Sequence, residues 1–300
     1  MRFPRVAAIV LNEESMMSSI RRFPDRSPSR LLSHALLAAL FSAVVAPVTL
    51  ADSKAAAPAV QRPPSPGAEH QPRVGHWEYE GEFGPTKWNE VDPAFKACAV
   101  GKRQSPINIE TRDAEKGGLK PIQFSYNPGP GEIVNNGHTI QVNLENAGTA
   151  RFDGLEYRLV QFHFHTPSEE KIDSMAQHMV AHLVHRAGDT KLAVVAVMFK
   201  LGKENKALKP VFDSLPQREG QRAKLNEFNP ADILPGDPTY FAYTGSLTTP
   251  PCTEDVKWHV MQAPMVISYA QLAAFKKLYK MNARPVQPLN GRRVQVYVQP

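Results

Sequence analysis

Cysteine is scarce in this chain: 300 residues include two, Cys98 and Cys252, both far from the main cluster of histidines. That excludes a closed, cysteine-built zinc site. Long apolar runs are missing as well. The stretch from Leu31 to about Val48 is alanine-rich and short for a bilayer span. Charge of one sign is not dominant either. Six of the 35 Lys and Arg and three of the 29 Asp and Glu lie in residues 1–51, and the remainder carries an excess of only three positive charges. Nothing in that balance fits a nucleic-acid partner. No internal repeat is visible, so a solenoid is excluded.

The first 51 residues have the layout of a secretory signal. Arg21 and Arg22 precede the apolar run, Thr49-Leu50-Ala51 ends on a small residue suited to cleavage, and translation could begin at Met16 or Met17. An uncleaved membrane anchor is the alternative. Residues 52–73 are rich in Ala and Pro without periodicity, so they read as a disordered linker. A single domain is expected over 74–300, long enough for a sizeable core. Export predicts a periplasmic or secreted protein with no stable membrane insertion after cleavage. An oxidising compartment would let Cys98 and Cys252 pair, with two buried free thiols as the alternative.

Within the domain, short β-rich segments outnumber helical ones. Strands are predicted at Gln123–Tyr126, Thr139–Leu144, Tyr157–His165, Val180–His185, Lys191–Phe199, Val256–Met261 and Val294–Val298, with turns at Asn127–Gly131 and Asn135–Gly137. Ser268 and Gln271 form a capping box ahead of Leu272, Phe275, Leu278 and Tyr279, which predicts one helix; a second is expected around Leu208–Leu215. The fold class is mainly β (α+β): one domain on a large, mostly antiparallel, twisted sheet with short peripheral helices.

Histidines carry the chemistry. In Gln161-Phe162-His163-Phe164-His165, period two puts both imidazoles on one strand face, able to grip one ion. His178, His182 and His185 compete to be the third ligand. On a strand, Val180, His182 and Val184 share a face while His185 lies on the other. A helix would instead pair His178 with His182 at zinc-protease spacing, but Met179 stands where the catalytic glutamate belongs. The apolar run Leu192–Phe199 looks like a neighbouring buried strand and favours His182. Three imidazoles without thiolate describe a catalytic Zn2+ site with a vertex left for water.

Tyr243-Thr244-Gly245-Ser246-Leu247-Thr248-Thr249-Pro250-Pro251-Cys252, taken with the histidine motif, Gln104–Ile109 and Asn135-Asn136-Gly137-His138, resembles the α-class carbonic anhydrases. The resemblance spans His76 to about Val298. It implies zinc on His163, His165 and His182, acidifying water to a pKa of ~7, a value belonging to that family rather than to this chain. The implied reaction is reversible hydration of carbon dioxide to bicarbonate and a proton. By the same resemblance, Thr248 orients the nucleophile and gives its proton to Glu169, Gln161 and the Asn282 carbonyl hold His163 and His165, and His138 shuttles protons.

An apolar wall of Val184, Leu192, Val194, Leu247, Val256 and Trp258 is implied, facing a polar one of Tyr79, Asn136, Gln141 and Thr249. One departure stands out. The family often has a glutamate two residues before the third ligand, and here Val180 occupies that place. Valine accepts no hydrogen bond, so His182 is expected to lean on water or a carbonyl, or to be a weaker ligand. The competing class is a ligand-binding module of this fold without catalysis, which the intact ligand set argues against. Ester hydrolysis would be a side reaction. The chain is expected to act as a monomer or homodimer.

Overall fold

The computed structural model describes residues 76–300. The expected signal (1–51) and linker (52–73) lie outside the described residues.

Among the described residues, thirteen strands form one sheet. Its centre runs, edge to edge, through Arg222–Phe228, Gly129–Asn135, Ile140–Leu144, Leu155–His165, Met179–Ala187, Lys191–Leu201, Glu254–Met261 and Tyr240–Ser246, then out to Gln295–Tyr297 and Glu115–Lys116. Most neighbours are antiparallel; Lys191–Leu201 pairs in parallel with Glu254–Met261. Asn108–Ile109, Lys171–Ile172 and Met175–Ala176 make a separate three-stranded sheet. The mixed, mostly antiparallel sheet is the expected architecture.

Period two divides the side chains of the central strands between two cores. Phe162, Phe164, Ala181, Leu183, Val195 and Val197 point into the larger one, where Leu272 and Phe275 of helix Tyr269–Leu278 cover them. Val180, Val194, Ala196, Met198 and Trp258 form the smaller cluster on the opposite face. His163, His165 and His182 alternate with residues of the larger core, so they stand on the face of the smaller cluster. Both sides of these strands are buried, which explains their near-continuous apolar runs.

The helix starts where its capping box predicts: the Ser268 side chain accepts from the Gln271 main-chain N–H and the Gln271 side chain accepts from Ser268 N–H. Such a cap stabilises a helix by about 1 kcal/mol. The second helix is one turn, Lys209–Phe212, with Val211 and Phe212 buried.

The turn expected at Asn127–Gly131 is largely a strand. Gly129–Asn135 pairs with Ile140–Leu144 and Arg222–Phe228, and a Cβ on Gly131 would sit 2.5 Å from the Asn143 carbonyl oxygen. Glycine is there for close strand approach rather than for turning. Gly148–Phe152, Arg222–Phe228 and Tyr240–Ser246 are further strands that alternation did not reveal.

Gly245 closes a tight contact beneath the loop after Tyr240–Ser246. A Cβ there would meet Ser105 Oγ at 2.0 Å and Trp258 Cδ1 at 2.9 Å. Gly245→Ala is therefore predicted to cost about 1–3 kcal/mol by overpacking. Denaturant unfolding checks it, and a wild-type midpoint would contradict the close contact.

Candidate metal centre

Strands Leu155–His165 and Met179–Ala187 are antiparallel, and their register puts His163 directly opposite His182 and Val180 opposite His165. One potential ligand atom from each of His163, His165 and His182 falls within 4.8 Å of the others. The rivals are elsewhere. His185 is fully buried on the other face with its Nε2 2.7 Å from Tyr126 Oη, and His178 is exposed beyond the strand's start.

The backing of each ring decides which nitrogen is free. His163 Nδ1 lies 2.9 Å from Gln161 Oε1, and His165 Nδ1 lies 2.7 Å from the Asn282 carbonyl oxygen. Both partners only accept, so each Nδ1 carries the proton and each Nε2 keeps its lone pair. His182 is turned the other way. Its Nε2 lies 3.0 Å and 3.2 Å from the two carboxylate oxygens of Glu170, which leaves Nδ1 to face the cluster. Asn282 does more than back one ring: its side chain donates to the Phe164 and His138 carbonyls and accepts from Thr166 N–H, fastening three segments together.

Burial, and then the His182 charge, lower His163 to about 3, and the same causes hold His165 well below the ordinary imidazole value. At neutral pH both are unprotonated donors. Burial also pushes His182 down, but the Glu170 charge and hydrogen bond outweigh it and the net direction is up. His165 Nε2 is wholly buried and has no hydrogen-bond partner. A buried, unpaired lone pair aimed at two others is costly unless a cation uses it. The donor set fits zinc: three imidazole nitrogens, with the remaining direction open to a cavity.

Glu169 sits behind this group with its side chain inaccessible to solvent. Burial raises its carboxyl to about 7, the nearby His182 pulls it down, Glu170 pushes it up, and the Thr248 hydroxyl and Arg284 N–H favour ionisation. Oε1 accepts from Arg284 N–H at 2.8 Å, while the Thr248 contact falls short of full hydrogen-bond geometry and Oε2 is left unpaired. A dication at the cluster would further favour the carboxylate.

The cavity in front is about 270 Å3. Val184, Val194, Leu247 and Trp258 line it together with Tyr79, Asn136, His138, Gln141 and Thr249. Thr248 and the three ligands line it as well. Two expected wall residues are misplaced: Val256, 1 % exposed, and Leu192 pack into the smaller core behind Trp258 and do not line the cavity. Each shares a strand face with a residue that does line it, Trp258 or Val194, but lies two positions further along the strand and packs into the core instead. His138 is stacked on Trp77, centroids 3.6 Å apart, with His76 on its flank at 5.3 Å. Burial beside these rings, and then the His76 charge, lower its pKa.

The Thr248 loop is tied down from outside. Cys98 and Cys252 are joined by a disulfide, so the free-thiol alternative is excluded; Gln104 donates to the Cys252 carbonyl, and Cys252 N–H donates to Thr249 O. Arg284, 2 % exposed, donates to the carbonyls of Cys98 and Ser105 and to Gln104 Oε1, and lies over the Trp88 ring. Arg284 and Glu170 were not among the expected site residues. The only sequence signal for Glu170 was a second carboxylate directly after Glu169.

Residues 83–298 match the eukaryotic-type carbonic anhydrases. The chain belongs to the α-class carbonic anhydrase family. It is 44 % identical to a carbonic anhydrase of Klebsiella pneumoniae over 225 residues, covering 74 % of this chain and 91 % of that protein. The α-carbonic anhydrase of Thermovibrio ammonificans, solved with the inhibitor sulfanilamide, superposes with a TM-score of 0.72 at 42 % identity, covering 74 % of this chain and 99 % of that one. Dioscorin, solved with ascorbate, superposes at 0.71 with 30 % identity, covering 75 % and 99 %. The fold alone is thus compatible with another ligand, whereas the histidine triad and the bacterial relatives specify a zinc enzyme that hydrates carbon dioxide. The disulfide and the bacterial relatives point to an extracytoplasmic protein. Among the described residues, no helix is long and apolar enough to cross a membrane.

The disulfide's hold on the loop is testable. Cys98→Ala with Cys252→Ala is predicted to lose about 2–5 kcal/mol of stability and to lower turnover, because Thr248 lies on the freed loop. Unchanged stability and turnover would contradict it.

Proposed function

We propose that His163, His165 and His182 hold zinc in this carbonic anhydrase while Thr248, Glu169 and His138 aim the nucleophile and remove its proton. Bound zinc supplies acidified water near neutral pH, the general property of this class of enzyme. The observation that carries the reading is the convergence of three lone pairs, each fixed by an acceptor behind its ring, at a cavity lined by both apolar and polar side chains.

Thr248 has one proton to give. An ionised Glu169 can only accept, so the proton goes there and a hydroxyl lone pair is left to accept a hydrogen bond from the attacking water. That water is then oriented rather than free to rotate. Val184, Val194, Leu247 and Trp258 offer an apolar seat for carbon dioxide, which has no dipole to spend on the polar wall. His138 lines the same cavity and accepts the proton that hydration releases. The site is complete within one chain, so activity as a monomer or homodimer needs no residue from a partner. The expected signal and the disulfide support a periplasmic or secreted enzyme.

Removing zinc with a chelator should abolish hydration and adding zinc should restore it; a chelated protein of undiminished activity would reject the reading. Thr248→Ala should lower kcat/KM on the order of 10²-fold, the usual cost of losing one positioned hydrogen bond at the reacting atoms, with Thr248→Ser recovering most of it. Equal rates for all three proteins would remove Thr248 from the mechanism.

His138→Ala should slow turnover in weak buffer and be rescued by imidazole. Because the pKa of His138 is lowered, its ring stays neutral further into acid than free histidine does. The His138-dependent share of turnover should therefore persist below about pH 6.5 and be lost only as the pH falls through the lowered value. A share that vanishes above that pH contradicts the assignment.

A further inference from the structure

We propose that Glu170 is the positioning residue for the third metal ligand, supplying from a loop the acceptor that Val180 on the strand cannot. The proposal rests on zinc being held by the triad. His182 is the one ligand whose backing is not supplied by the resemblance, and its Nε2 is bracketed by both Glu170 oxygens at 3.0 Å and 3.2 Å. Glu170 and Val180 are each 0 % exposed. No solvent path is needed to satisfy the ring.

The Glu170 main chain is held firmly enough to aim its side chain. Ser168 Oγ donates to the Glu170 carbonyl and accepts from Gln177 N–H, Ser168 N–H donates to Gln177 O, and Lys171 N–H donates to Ile107 O where the small sheet begins. Val180 meanwhile packs in the smaller apolar cluster with Val194 and Trp258. A carboxylate is acceptor-only, so this pairing fixes the proton on His182 Nε2 and leaves Nδ1 as donor, the opposite choice from His163 and His165. On this proposal His182 is not the weaker ligand that Val180 alone would imply, because a full carboxylate stands behind its ring.

A glutamate at 180 in the present background would not improve the ligand. It would bring a third carboxylate beside Glu169 and Glu170 into a dry cluster, where an unpaired charge is expensive. With Glu170 removed, the same substitution should become beneficial. The reversal of sign separates a positioning role from general packing.

The experiment is zinc affinity by chelator competition, with thermal unfolding of the zinc-free proteins as the folding control, on wild type, Glu170→Gln, Glu170→Ala, Val180→Glu and the Glu170→Ala/Val180→Glu pair. Glu170→Ala should weaken zinc binding about 10- to 100-fold, with the isosteric Glu170→Gln intermediate. Val180→Glu alone should not tighten binding, and the double variant should recover most of the loss. Wild-type affinity in both Glu170 variants would overturn the proposal, as would tighter binding by Val180→Glu alone. If either Val180→Glu protein fails to fold, Glu170→Gln against wild type decides. A wild type that holds no zinc would instead reject the metal reading itself.

Discussion

Each of the three imidazoles spends one nitrogen on an acceptor behind it, and the direction of the other three lone pairs follows. A side-chain amide backs His163, a main-chain carbonyl backs His165 and a carboxylate backs His182. Two rings thereby present Nε2 and the third Nδ1. Because the rings cannot flip without leaving a buried acceptor or donor unpaired, the donor triangle is set before any ion arrives.

The sheet exists in the form that makes those pairings possible. Period two sends the phenylalanines between the ligands into the larger core and the histidines to the other side, so the same residues that stabilise the strands hold the ligands in register. Helix Tyr269–Leu278 covers the larger core, and the segment that follows it delivers Asn282 and Arg284 to the back of the site. Asn282 then links a ligand strand to the His138 turn, and Arg284 links Glu169 to the disulfide that restrains the Thr248 loop. His165, Glu169, the His138 turn and the Thr248 loop are thus braced together by the hydrogen bonds of Asn282 and Arg284 and by the disulfide.

Much of this was legible in the residues alone because its signals are local. Alternation of histidine with phenylalanine, the Ser268 and Gln271 cap, and the choice of His182 over His178 and His185 all depend on neighbours within a few positions. Strands such as Arg222–Phe228 were not legible, since they lie at edges where alternation carries charge and exposure on both faces. The start of Gly129–Asn135 was read as part of a turn at Asn127–Gly131 because a glycine needed for close strand approach has the same spelling as one needed for positive φ. Glu170 was illegible for another reason: its partner is twelve residues away across a sheet boundary, and only the folded distance pairs it with His182. Val256 was misassigned to the cavity by the same limit: it shares a strand face with Trp258, and how far along that face the cavity extends is a tertiary fact.

The central claim concerns what the triangle binds and through which atoms. X-ray absorption at the metal edge of the zinc-loaded protein tests it most directly. The account predicts three imidazole nitrogens and one oxygen, with nitrogens at about 2.0–2.1 Å, and the loss of one nitrogen in His182→Ala. A sulfur ligand, a fourth imidazole, or an unchanged spectrum in His182→Ala would contradict it.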